Sequence, residues 1–148
     1  MSKAVTITGD VDVARKRVTL SGKQDGKRLP VEFAVGNDHT LTWKLRDAKV
    51  PTRTVFEGFK AQVRFVGFPS GEPRPLLKRG NTLEAAATGV IDGGAVNPNA
   101  FEGLYTYAVE LVGPAGGITS LECSWAGAAP NAAPVVTGMG GIKRSGGP

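Results

Sequence analysis

Leu104-Tyr-Thr-Tyr-Ala-Val-Glu-Leu-Val112, then Gly113-Pro-Ala-Gly-Gly117, then Ile118-Thr-Ser-Leu-Glu-Cys-Ser-Trp125 is a strand, a reversal and a second strand. Tyr105, Tyr107, Val109 and Leu111 fall at every second position, so an extended chain puts all four on one face. The five-residue Gly/Pro segment turns the chain, and Leu121, Cys123 and Trp125 alternate again beyond it. This β-hairpin sets the fold class: apolar residues with a period of two bury one side of a sheet.

The same rhythm recurs upstream. Ala4–Thr8 is a first strand ended by Gly9-Asp10. Residues 11–20 follow, with Val18 and Leu20 facing in and Arg17, Thr19 and Ser21 facing water. Gly22–Gly26 supplies a loop. Val31, Phe33 and Val35 share a face, then Leu41, Trp43 and Leu45, and Ala61, Val63 and Phe65 after Pro51. Pro69–Pro75 excludes helix. Leu83–Thr88 favours helix locally, yet about six residues make no stable helix alone, so it reads as a strand or one helical turn. Val90-Ile91 and the loop Asp92–Asn99 lead into the opening hairpin.

Seven to nine short alternating runs, spaced by turn signals about every ten residues, predict an all-β domain. Two sheets packed face to face bury every apolar face at once. The expected architecture is therefore a single antiparallel β-sandwich, immunoglobulin-like, over residues 1–126. Residues 127–148 are dominated by Gly, Ala and Pro and read as a flexible tail. Within it Val135, Val136, Met139 and Ile142 are the groups able to dock on a partner.

Length and composition fit one globular domain: 148 residues, 41% apolar and 21% charged, with 21 glycines and 10 prolines to make turns. The net charge of +5 is unevenly placed. Residues 1–80 carry 16 basic and 8 acidic side chains; residues 81–148 carry 2 and 5. The basic clusters are Arg15, Lys16 and Arg17; Lys27 and Arg28; and Lys78 and Arg79. They are candidate contacts for an anion or nucleic acid, or a solvated face. No apolar run spans a membrane or forms a leader peptide, so a cytoplasmic location is expected.

Groups able to do chemistry are sparse. His39, in the turn before the Trp43 strand, reads as a solvated polar residue. Cys123, the single cysteine, reads as a small buried hydrophobe, and no disulfide can form within the chain. Neither residue has the neighbours of a triad or a zinc site, and no Gly-x-Ser-x-Gly elbow is present. Asp10 and Asp12 could offer oxygens to calcium, but the glycine and further ligands of a calcium loop are lacking. The glycine pairs at 93, 116 and 140 fit no phosphate loop. No cofactor is expected. Tyr105 and Tyr107 read as core residues whose hydroxyls reach an edge; stacking on nucleobases is their other use.

Leu41-Thr-Trp-Lys-Leu45, Val55-Phe-Glu-Gly-Phe59, Gly103-Leu-Tyr-Thr-Tyr-Ala-Val109 and Leu121-Glu-Cys-Ser-Trp125 resemble, in order, the landmarks of small bacterial immunoglobulin-like proteins of the DP-EP type. The resemblance covers roughly residues 30–125. The Asp-Pro that such proteins carry after the final strand is absent, and Leu121-Glu122-Cys123 stands there. The resemblance implies the fold and no activity.

The foremost reading of function is a non-catalytic protein-interaction or assembly module, engaging a protein partner or copies of itself through edge strands or the tail. The alternatives are binding of nucleic acid or an anionic surface through the basic N-terminal half, and an enzyme with an unrecognised site.

Overall fold

The structure is a computed structural model that describes residues 3–50, 59–85, 89–126 and 139–144. Twelve strands arise among them: β1 (Lys3–Asp12), β2 (Arg17–Gln24), β3 (Lys27–Arg28), β4 (Ala34–Val35), β5 (His39–Asp47), β6 (Lys60–Gly67), β7 (Thr82–Glu84), β8 (Val90–Ala95), β9 (Gly103–Val112), β10 (Ile118–Ser120), β11 (Glu122–Trp125) and β12 (Met139–Arg144). They form two six-stranded sheets. The first runs β11-β2-β1-β5-β8, with β3 on β2; the second runs β4-β12-β9-β6-β7, with β10 on β9. The all-β expectation holds.

The uniformly antiparallel expectation does not. β1 lies parallel to β5 over nine pairs, Lys3↔His39 to Val11↔Asp47. β11 is parallel to β2, and β12 to β4. Alternation reports only that side chains point up and down in turn, which is equally true of both pairings. Strand direction is set by the crossovers, and each of these parallel pairs joins strands distant in sequence.

Several boundaries also move. β1 continues past Gly9, because the glycine faces inward where a Cβ would stand 2.5 Å from Leu45 Cδ2 and 3.1 Å from Leu20 and Val18. Neighbouring side chains fill the space, so the strand need not end. The segment 22–26, expected as a loop, is a hairpin: Lys23↔Arg28 and Gln24↔Lys27 pair across Asp25 and Gly26. Both turn residues have positive φ, 53° and 76°, the mirror-image turn that suits an Asp-Gly pair between twisted strands. Phe33 and Val35 are buried as expected, yet only Ala34–Val35 joins a ladder. A single 3-10 turn stands at Pro69–Gly71, where helix seemed excluded; proline at the first helical position gives up no needed N–H. Leu83 lies in β7, while residues 86–88, like Val55 and Phe56, lie outside the described residues.

The hairpin of the opening stretch is real but short. β10 pairs with the end of β9 over Ile118↔Val112, Thr119↔Leu111 and Ser120↔Glu110. Leu121 then donates its N–H to Val109 O (3.0 Å), and Glu122 donates to Lys16 O (2.9 Å) in the other sheet. The chain changes sheets between two consecutive residues. Of the expected tail, Met139–Arg144 forms β12, antiparallel to β9 and parallel to β4. Val135 and Val136 lie outside the described residues.

One core serves both sheets. It holds Val5, Ile7, Leu20, Leu41, Trp43 and Cys123 from the first and Val63, Phe65, Tyr105, Tyr107, Val109 and Leu111 from the second. Its centre is aromatic. The Trp43 ring meets Tyr107 edge-on at 5.4 Å and Phe65 at 6.4 Å, and Phe65 meets Tyr107 at 5.7 Å. Such pairs add about 0.5–1.5 kcal/mol each beyond area burial.

The two tyrosines are both fully buried but satisfied differently. Tyr105 donates its hydroxyl hydrogen to Phe101 O at 2.8 Å. Tyr107 Oη and Trp43 Nε1 are buried close to each other, but neither makes a well-formed hydrogen bond among the described residues. Phenylalanine should therefore act oppositely at the two sites. Tyr105→Phe is expected to cost about 1 kcal/mol, and Tyr107→Phe to be neutral or stabilising. Urea unfolding of the two variants, compared by midpoint at unchanged slope, checks the contrast.

Candidate functional site

The polar and charged residues buried among the described ones, His39, Gln62 and Glu110, are each held by their neighbours. Glu110 stands on β9, on the face of the second sheet turned away from the core, and is only 1% exposed. Register places it beside Gln62 on β6 and Ser120 on β10. Gln62 Nε2 donates to Glu110 Oε1 at 2.9 Å. Arg64, one alternation along β6, donates Nε to Oε1 at 3.0 Å and Nη2 to Oε2 at 2.8 Å. A planar fork thus meets a carboxylate edge to edge, the strong geometry for this pair. The Arg64 guanidinium holds the Glu110 carboxyl below its ordinary value of 4.5, against burial, which acts the other way. In return the carboxylate raises the guanidinium.

His39 differs from its expectation. It is buried rather than solvated. Its Nδ1 receives the Gly36 N–H at 2.8 Å and lies 3.1 Å from Asp38 Oδ1, so the ring fastens the turn that starts β5. Cys123 is buried as expected, and burial pushes its thiol up to about 11. A thiol so placed is neutral and a poor nucleophile. The two residues are not partners: Cys123 is level with Val18, Val11 and Asp47 in the ladder, and His39 is eight residues from Asp47 along β5, roughly 27 Å.

Asp10 and Asp12 do share a face, but cations occupy them. Asp10 pairs with Arg46, and Asp12 accepts the Arg15 N–H at 3.1 Å and approaches its guanidinium at 3.9 Å. Among the described residues, no group of three His, Cys, Asp or Glu side chains is placed to hold a metal. The fully buried Tyr105 and Tyr107 present no ring to a nucleobase, which removes stacking as their use: the core claims both faces of each ring.

All three basic clusters are exposed, yet the fold does not gather them into one patch. Arg15, Lys16 and Arg17 sit at the β1–β2 turn, where Arg17 is level with Asp12 on one side and Glu122 on the other. Two carboxylates, Asp12 paired with Arg15 and Glu122 level with Arg17, partly offset the three cations of that cluster. Lys27 and Arg28 lie on β3, past the far end of β2, roughly 20 Å away by strand rise. Lys78 and Arg79 border the β8 edge, where Lys78 N–H bonds Ala95 O and Arg79 pairs with Asp92 at 3.3 Å. Sequence clustering treats these groups alike; register separates the compensated ones from Lys27 and Arg28.

Two groups escaped the sequence reading. Glu110 was hidden because it occupies the outward half of an alternating strand, where a carboxylate looks solvated. Lys23 was hidden because its companion Arg28 is its neighbour only once the hairpin forms. No helix of the described residues is long and apolar enough to cross a membrane. No protein-family model matches the chain, and no curated protein sequence matches it.

The Glu110–Arg64 pair makes stability depend on pH in a definite direction. A carboxyl whose folded pKa lies below its unfolded value stabilises fully above about 4.5. That contribution disappears as pH falls through the lowered folded value. Arg64→Ala should cost about 2 kcal/mol at neutral pH, because Glu110 stays buried without its cation. Its deficit should start to shrink before the pH has fallen to 4.5, because burial, no longer opposed by Arg64, raises the stranded carboxyl and makes it take up a proton early. Thermal melts of wild type and variant across this range provide the check.

Proposed function

We propose that this chain is a non-catalytic protein-interaction and assembly module, an immunoglobulin-like β-sandwich that acts through its surfaces and associates with copies of itself. Two features support the immunoglobulin-like type. A buried Trp43 packs at the centre of the core, and Tyr105, near the start of a late strand, bonds the backbone four residues upstream, as the tyrosine corner of such folds does. The likeness to DP-EP proteins points the same way. The parallel β1–β5 pair departs from the immunoglobulin pattern.

The observation that carries the functional reading is the outer face of the second sheet. Of the three large apolar residues exposed on the described body, Leu104 and Ile118 lie there, at 43% and 57% exposure; Val50 is the third. Along β9 they are joined by Thr106, Ala108 and Val112, with Ile118 level with Val112. Glu110 and Arg64 neutralise each other on this stretch, and the exposed Lys60, level with Val112, and Glu84, level with Gln62, border it. An apolar stripe beside a forked arginine has the composition of an interface core.

Self-association is tested by light scattering across a concentration series. Wild type should form a dimer or larger assembly, and Leu104→Asp with Ile118→Asp should weaken it by at least about thirtyfold, about 2 kcal/mol. A wild type that stays monomeric throughout would remove this reading. Substitution is the right tool, because deleting residues 127–148 would also remove β12 from between β4 and β9.

A further inference from the structure

We infer that a second, separate surface, the half of the first sheet's outer face bordering the β2–β3 hairpin, binds the phosphate backbone of duplex nucleic acid without reading sequence.

The outer face of this sheet divides in two along its strands. One half alternates charge: Arg17 is level with Asp12 and Glu122, and Asp10 with Arg46. The other half is dominated by cations and hydroxyls, with carboxylates only at its margins. Arg28, Lys23, Thr6 and Thr42 form one row across β3, β2, β1 and β5. Ser21, Thr8 and Lys44 form the next. At the end of the first row stands Asp92, which already pairs with Arg79. Asp25, at the hairpin tip, makes no ion pair among the described residues.

Lys23 and Arg28 are directly opposed, a like-charge pair that disfavours the hairpin. No carboxylate among the described residues lies within ion-pairing reach of Lys23, Arg28 or Lys44, and all three are exposed. The hairpin is nevertheless held. Trp125 Nε1 donates to Leu29 O at 3.1 Å, and Arg28 Nη2 reaches Ala126 O at 3.3 Å. Lys44 stands about 12 Å from Lys23 by strand spacing and rise, so the cations flank a patch floored by hydroxyl donors. Phosphate oxygens accept from lysine, arginine, serine and threonine alike.

The rest of the surface selects the form of the polyanion. Both tryptophans and both tyrosines are buried, so no indole or phenol ring offers the stacking platform that single strands use. The exposed Val50, Leu104 and Ile118 all lie off this face, so among the described residues it lacks the apolar wedge of a membrane-surface binder. A duplex backbone needs neither.

The test is fluorescence anisotropy of a short labelled DNA duplex with the full chain. Three phosphate contacts predict a log–log salt slope of about −2.7, a loss of roughly fortyfold from about 50 to about 200 mM salt. Two triple variants remove equal charge. Lys23→Ala with Arg28→Ala and Lys44→Ala should weaken binding at least about tenfold. Arg15→Ala with Lys16→Ala and Arg17→Ala should stay within about twofold. Matched melting curves establish that both variants fold. Absence of duplex binding at low salt overturns the inference. So does equal loss in the two triples, which would mean net charge alone, or binding confined to phosphatidylserine vesicles.

Discussion

The contact between Trp43 and Tyr107 joins two sheets that otherwise share no ladder. Each ring stands on an interior strand of its own sheet, β5 and β9, and Phe65 on β6 completes the cluster. The strands beside them, β1 and β6, supply Ile7, Val5, Val63 and Ala61 around the rings. Large rings placed mid-strand keep the sheets apart at a distance that β-branched and leucine side chains then fill. Charged and hydroxyl-bearing residues are left to the outside, and both proposed binding surfaces depend on that partition.

This arrangement also explains the shortage of chemistry within. His39 is committed to a turn, Cys123 is neutral in the core, and Glu110 is held by Arg64 and Gln62. The surfaces differ instead in kind. The second sheet turns Leu104, Ile118 and Val112 outward around the Glu110–Arg64 pair, with Lys60 and Glu84 at its border. The first turns out hydroxyls and charges of both signs, with the cations gathered toward the β2–β3 hairpin. One face suits an apolar partner and the other an ionic one, and they lie on opposite sides of the same core.

Burial was the most legible part of the sequence. Phe33, Val35, Leu41, Trp43, Tyr105, Tyr107 and Cys123 are all where a period of two places them, because the period depends only on an extended backbone. Pairing was not legible. Val31 to Val35 alternates as cleanly as any strand, yet Pro30 lacks the N–H a ladder needs and only two residues pair. Strand direction and sheet membership come from crossovers that leave no local mark, so the parallel β1–β5 pair and the change of sheets at Leu121 could not be read. The basic clusters failed likewise: proximity along the chain grouped Arg15 with Arg17, while register set Asp12 and Glu122 beside them and brought Lys23 to Arg28. The Asp25-Gly26 pair was the one overlooked local signal, since it marks a hairpin where only a loop was expected.

β11 carries a consequence for biosynthesis. The first sheet begins with residue 3 and acquires the neighbour that covers β2 only at residues 122–125. A nascent chain emerging from the ribosome therefore exposes one side of β2 for most of its translation. Arg17, Thr19, Ser21 and Lys23 along that strand keep it wettable throughout the wait, so closure from the far end can arrive late without the unfinished sheet sticking to its neighbours.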